Sequence, residues 1–302
     1  MTDRWADPAR RRCQLVVPAS SEKMLHKAAE LEVDGLILDL EDGVAPSAKA
    51  QAREQLGWAL RELSFKAQTL SVRINPTTLS MCRHDTAIAV TAGWQRVRAI
   101  VLPKADHPRD IHFLDVLLGQ LEREQLAAGA PSAPPFAIEA QVETVVAMMS
   151  LEAIAAASPR LETLSFGPGD YAASQGIPQS AGDGGDPLFW SYHRHRLAMV
   201  ARAFGLQAID GPHFILDDAD SLERAAQAAA SYGLAGKWAI HPQQVETIQR
   251  AFTPSPEQIA RAEKIISAYQ QALAQGQGAL AVEGKMIDEA LVRMCRETLQ
   301  RR

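Results

Sequence analysis

Short apolar runs recur along this chain of 302 residues at a nearly constant interval, and that rhythm limits the folds open to it. The runs occupy residues 13–17, 35–40, 69–74, 99–102, 136–142, 164–166, 207–209 and 237–240, with starts roughly 32 residues apart. Between them, segments at 22–31, 48–63, 145–157, 193–204 and 222–232 place apolar residues at three- and four-residue steps, the helical period. Eight strand-helix units predict an α/β chain closed into a (β/α)8 TIM barrel in preference to an open doubly wound sheet. An open dinucleotide-binding sheet carries a glycine fingerprint after its first strand, and here that turn reads "VVPASSEKM".

The barrel is expected to span residues 1–252. Residues 253–302 follow the eighth unit as a helix at 257–273, the turn "GQG" and the stretch "ALAVEGKMIDEALVRMCRETL". A C-terminal helical extension that the barrel does not need is expected to pack on a neighbouring subunit. The segment "SQGIPQSAGDGGDP" (174–187) after the sixth strand is rich in Gly, Pro and Ser. It reads either as a substrate cover or as a plain surface excursion.

Composition narrows the function. A net charge of −5 and a pI near 5.9 lack the basic footprint of a nucleic-acid binder. No run approaches the length of a membrane span, and "MTDRWADPARRR" has no apolar signal-peptide core. Cys13, Cys82 and Cys295 form no CxxC pair. They read as reduced thiols of a cytoplasmic protein, not as a disulfide frame or zinc site.

Polar residues gather where the predicted strands end, the face on which such barrels build their sites. Glu143 and Asp170 follow strands five and six. Adjacent parallel strands lie about 4.8 Å apart, so two acids there can converge on one hard divalent cation and leave positions for water and substrate. Glu139, four residues before Glu143, shares its parity but lies deeper, where a carboxylate needs its own partner. Arg73 ends the apolar run "SVRINP" and offers a planar, two-point hold on a carboxylate or keto oxygen. A bridge to the acids of "LDLEDGV" is the structural alternative. Asp39, Glu41 and Asp42 of that segment, with Lys104, are expected to support the cation, its waters and the substrate from outside. Asn75, Asp210 and His241 also fall at strand exits. His193 and His195 lie on one predicted helix about 200° apart, so they cannot share an ion and read as surface or phosphate-contacting residues. Arg10–Arg12, Lys23 and Lys27 make a modest basic cluster around the first strand, either a phosphate site or a solvated face.

Taken together, these stretches resemble the citrate lyase β-subunit-like branch of the HpcH/HpaI aldolase superfamily. The resemblance runs through "SSEKMLHKAAELEVDGLILDLEDGVAP", "SVRINP", "VLPKAD", "QVETVVAMMSLEAIAAASPRLETLSFGPGDYAAS", "GKWAIHPQQV" and "VEGKMID", nearly the whole chain. The wording is most similar to malyl-CoA and β-methylmalyl-CoA lyases, with citramalyl-CoA lyases near behind. The resemblance implies a Mg2+-dependent TIM barrel, with Mn2+ as a substitute, that cleaves a β-hydroxyacyl-CoA thioester into an acyl-CoA and a 2-oxo acid such as glyoxylate or pyruvate. It puts the metal on Glu143 and Asp170, and the substrate-polarising guanidinium on Arg73. It puts a general acid/base, donated by a neighbouring subunit, on Asp288, which implies a homotrimer or homohexamer. Lys27, with Arg12 and Lys23, is the implied CoA contact. Thioester hydrolysis of malyl-CoA, or a citryl-thioester lyase subunit working with an acyl carrier protein, are the alternatives on the same scaffold. Ala19, Ala147 and Glu283 depart from the residues usual in relatives, and none belongs to the implied catalytic set.

Overall fold

The eight recurrent runs form eight parallel strands that pair in chain order and close on themselves, β1 against β8. In the computed structural model, which describes residues 10–178, 186, 188–282 and 284–301, these are β1 (Cys13–Pro18), β2 (Gly35–Asp39), β3 (Thr69–Arg73), β4 (Ala99–Leu102), β5 (Ala137–Val142), β6 (Leu161–Phe166), β7 (Gln207–Asp210) and β8 (Gly236–Ala239). The helices between them are α1 (Glu22–Ala29), α2 (Lys49–Glu62), α3 (Met81–Ala92), α4 (Pro108–Ala127), α5 (Val145–Met149), α6 (Leu151–Ala155), α7 (Pro168–Gln175), α8 (Ser191–Phe204), α9 (Ala219–Ser231) and α10 (Val245–Ala251). The chain divides into two compact units, Met1–Ile248 and Gln249–Arg302. The first is a TIM barrel.

Two expectations change in detail. Strand six begins three residues earlier than its apolar run, because Glu162 and Thr163 interrupt the hydrophobic pattern without interrupting the strand. Thr163 pairs with Glu139 of β5, and Glu162 bonds Arg11 and Arg98. The single helix read at 145–157 is two short helices broken at Ser150 (φ −106°, ψ 11°), whose amide still reaches back to Val146 and Ala147. Of the Gly- and Pro-rich segment 174–187, residues 179–185 and 187 lie outside the described residues, as do Glu283 and residues 1–9.

Inside the barrel, side chains sort into layers. Deepest is a polar knot in which Glu139, fully buried, accepts from Arg11, from Ser71 Oγ at 2.9 Å and from Gln14 Nε2 at 3.1 Å. That is the partner set a buried carboxylate requires. Above it, Ile37, Val101, Ile209 and Trp238 make an apolar belt. Above the belt stand the charged residues of the strand exits.

The second unit comprises α11 (Pro256–Ala274), a hairpin of β9 (Leu280–Val282) and β10 (Lys285–Ile287), and α12 (Glu289–Gln300). Its core joins Ala262, Ile265 and Tyr269 of α11 to Ile287, Val292 and Cys295. A capping box at Ser255 and Gln258 opens α11. Among the described residues no helix is long and apolar enough to cross a membrane.

Candidate active site

Asp39 and Arg73 end adjacent strands in direct register. Arg73 Nε donates to Asp39 Oδ1 and Nη2 to Oδ2, each at 2.7 Å. The same carboxylate accepts the amides of Glu41 (2.8 Å) and Gly43 (2.9 Å). A side chain on Gly43 would start 2.5 Å from Asp39 Oδ2, so glycine is required there. Asp39 is thus committed to orienting Arg73. Nη1 lies 3.1 Å from Glu41 Oε2, and the guanidinium rests 5.7 Å above the Trp238 ring. Burial pulls the Arg73 pKa down, but Asp39 and Glu41 outweigh it and the net direction is up. Of five N–H groups on a guanidinium, these contacts engage three. Nη1 and Nη2 each keep one outside these contacts. The bridge to the acids of "LDLEDGV" is formed, and it leaves part of the guanidinium outside these contacts.

Glu143 follows β5 and is fully buried. Its Oε1 accepts from the Lys104 amide at 2.7 Å and its Oε2 from Gln141 Nε2 at 2.5 Å. Beside it, just past the next strand, a side chain on Gly167 would start 2.4 Å from Glu143 Cβ, which explains the first glycine of "GPGD". Asp170 does not sit at the strand exit itself. It lies four residues past β6 in the first turn of α7, 43% exposed, where an acid also suits the helix N-terminus. Lys104 Nζ reaches Glu41 Oε1 at 2.5 Å, Asp42 Oδ2 at 3.7 Å and Asp170 Oδ1 at 4.0 Å. Burial lowers the Lys104 pKa, yet its hydrogen bond to Glu41 and the surrounding acids raise it overall.

Five carboxylates (Asp39, Glu41, Asp42, Glu143 and Asp170) thus surround two cations, Arg73 and Lys104. The surplus shows on the buried members. Burial, then the charges of Asp170 and Glu41, push Glu143 up to about 8, against the pull of Lys104. Burial raises Glu41 as well, despite Arg73 and Lys104. A divalent cation would supply the charge this site lacks, and carboxylate oxygens are the donors Mg2+ takes. Among the described residues no three His, Cys, Asp or Glu side chains are grouped to hold a metal. A cation here would take Glu143 and Asp170 and complete its shell with water or substrate, as Mg2+ commonly does.

Several sequence-level candidates lie elsewhere. Arg12 precedes β1 and therefore belongs to the opposite end of the barrel. Its Nε and Nη2 each bond Asp34 at 2.8 Å, so the structure does not bring it to the strand-exit face as a CoA contact. Lys23 and Lys27 are exposed on α1. His193 is not a plain surface residue: its ring stacks on Phe166 at 5.6 Å and meets Tyr171 at 4.6 Å, while His195 lies 4.2 Å from Tyr232. Asp210 is buried between Lys237 Nζ (2.6 Å) and Arg194 Nε (3.0 Å). Asn75 bonds Asp85 and the Leu40 carbonyl, and His241 caps a short 3-10 turn. Asp288 is the N-cap of α12, its Oδ1 accepting from the Leu291 amide at 3.0 Å. Gln141 and Gly167 were not singled out by sequence reasoning. The alternation Glu139–Gln141–Glu143 was the signal for the first.

The chain matches the HpcH/HpaI aldolase/citrate lyase family over residues 12–242. It belongs to that family. It is 36% identical over 301 residues to the L-malyl-CoA/β-methylmalyl-CoA lyase of Cereibacter sphaeroides, covering 95% of this chain and 93% of that one. It is 31% identical over 300 residues to the human mitochondrial citramalyl-CoA lyase, covering 96% and 84%. Among solved structures it resembles CitE from Mycobacterium tuberculosis in complex with magnesium, acetoacetate and coenzyme A. There the TM-score is 0.74 and the identity 28%, over 96% of this chain and 97% of that one. Like its family, the protein is a carbon–carbon lyase.

Proposed function

We propose that the protein cleaves, or in reverse forms, a β-hydroxyacyl-CoA of the malyl-CoA, β-methylmalyl-CoA or citramalyl-CoA type, giving an acyl-CoA and a 2-oxo acid such as glyoxylate or pyruvate. The observation that carries this reading is the charge-deficient pair Glu143 and Asp170 beside a guanidinium locked by Asp39. The names of the relatives, and the magnesium and coenzyme A bound by one of them, support it. Glu143 and Asp170 would hold Mg2+, which when bound supplies Lewis-acid stabilisation to hydroxy-acid oxygens.

The protein's own groups divide the remaining work. The two open N–H groups of Arg73 receive the oxygen of the nascent oxo acid and share the charge that develops on it. Asp39 keeps the fork aimed, and Trp238 closes it off from below. As the carbon–carbon bond breaks, the β-hydroxyl gives up its proton to solvent water, its oxygen becomes the carbonyl oxygen of the oxo acid, and the electron pair of the broken bond moves onto the thioester as an enolate. Asp288, donated by a neighbouring subunit in a homotrimer or homohexamer, gives that carbon its proton and removes it in the condensing direction. Lys23 and Lys27 on α1 are the basic residues offered to the CoA phosphates.

Purified protein incubated with malyl-, β-methylmalyl- and citramalyl-CoA, with and without Mg2+, tests the reading. Mg2+-dependent release of glyoxylate or pyruvate is expected. Free malate with no oxo acid shows thioester hydrolysis instead, and no turnover of any CoA thioester leaves a carrier-protein-bound substrate as the one to try.

A further inference from the structure

Lys104 is one of two residues other than glycine with positive φ among the described residues, at +49°. Outside glycine and Asn or Asp this left-handed conformation is disfavoured, and such strain persists only where surrounding structure imposes it. The consequence is local and specific. The turn after β4 closes with the Asp106 amide on the Lys104 carbonyl at 3.0 Å, and the Lys104 amide is aimed at Glu143 Oε1. With Gln141 on Oε2, each oxygen of Glu143 has a single donor among the described residues. The side chain of the same residue points into the acids, closest to Glu41 and within 4.0 Å of Asp170.

We propose that Lys104 is a positioning residue with two opposed effects on the cation site: its strained backbone holds Glu143 in place for the metal, while its ammonium, standing among the carboxylates, keeps metal affinity below what those carboxylates alone would give. The inference rests on Glu143 and Asp170 being the cation pair. A resident ammonium that can be outcompeted lets the apo site stay folded around five acids, and keeps the cation exchangeable.

The two effects separate by substitution. Lys104→Gly removes the ammonium and tolerates the left-handed backbone; Lys104→Ala removes the ammonium and resists it. Titration of Mg2+ into each protein by calorimetry should give about tenfold tighter binding for Lys104→Gly than for wild type, since one unit charge a few ångströms from the cation is lost. Lys104→Ala should bind about fivefold more weakly than the Gly variant, because it gains by leaving the conformation that directs the amide. Lys104→Gly should also unfold at a higher temperature than Lys104→Ala, the reverse of the usual order. Lys104→Asn, which accepts the left-handed region, repeats the Gly result should that variant fold poorly.

Equal behaviour of Gly and Ala variants overturns the backbone hold, and weaker Mg2+ binding in both overturns the opposing ammonium. An Asp170→Ala control distinguishes the levels. If wild-type Mg2+ binding survives it unchanged, the cation pair is wrong and the inference goes with it. If binding is lost there while the Lys104 series stays flat, the inference alone is wrong.

Discussion

Two charge clusters in this barrel are built from similar residues and reach opposite electrostatic ends. Between β7, β8 and α8, Asp210 sits between Lys237 and Arg194, all three buried. Burial alone would raise the Asp210 pKa, but the two cations more than offset it and the carboxyl is held below its usual range. At the strand exits, burial raises Glu143 and Glu41, and two cations shared among five acids do not reverse it. In the first cluster the acid is fully paired and burial shows instead on Lys237, whose pKa it lowers; the cluster ties α8 to the barrel wall. In the second the buried acids are the under-compensated members, and a proton or a cation relieves them. Burial and ion pairing occur in both, so neither marks function; the uncompensated balance does.

The sharpest break of this contrast is Asp170→Ala. It should abolish Mg2+-dependent turnover in a thioester assay while circular dichroism and unfolding temperature stay near wild type, because Asp170 is half exposed. Lys237→Met should do the reverse. Removing a partner from a buried pair costs about 3–5 kcal/mol, so its denaturant midpoint should fall sharply while the protein that remains folded turns over normally. Loss of activity in proportion to stability in both variants would erase the distinction between the clusters.

The pH dependence sharpens it further. An acid whose folded pKa is raised favours folding in its protonated form, so its contribution is full below the ordinary value near 4.5 and is lost as pH rises through about 8. Mg2+ must displace that proton. The stabilisation that Mg2+ confers, read as a shift in unfolding temperature, should therefore grow from pH 5 to pH 8 and level off above it. A flat profile would mean that Glu143 is already ionised without the cation.

The smallest effect concerns Asp288, which caps a helix whatever else it does. Replacing an Asp N-cap by Ala costs about 1 kcal/mol, whereas Asn caps equally well. Asp288→Asn should thus keep the stability of wild type and lose activity, while Asp288→Ala loses both. Full activity in Asp288→Asn would reduce the residue to its cap.

Much of this site was legible in the linear chain because its members occupy the ends of strands, and strand ends follow from local hydrophobic rhythm. Arg73 and Glu143 lie where the apolar runs stop, and the acids of "LDLEDGV" fall in the turn after one. Asp170 was legible as a residue but not as part of a helix turn, since the prolines and glycines around it mask the helical period. Arg12 and Asp210 have partners that the linear chain does not announce, for a common reason. A charge beside a strand looks alike whether it faces substrate, the opposite end of the barrel or a buried partner far away in sequence. Asp34 lies 22 residues from Arg12, and Lys237 lies 27 from Asp210. Only closure and register bring those pairs together.

The order of residues alone pointed to eight strand-helix units, a barrel and the end at which acids and cations gather, because alternation and periodicity are properties of neighbours along the chain. Tertiary structure decided which charges cancel and which are left over. The electrostatic balance of a buried carboxylate depends on distances between side chains from different strands, and on a backbone angle at Lys104 that no local pattern announces.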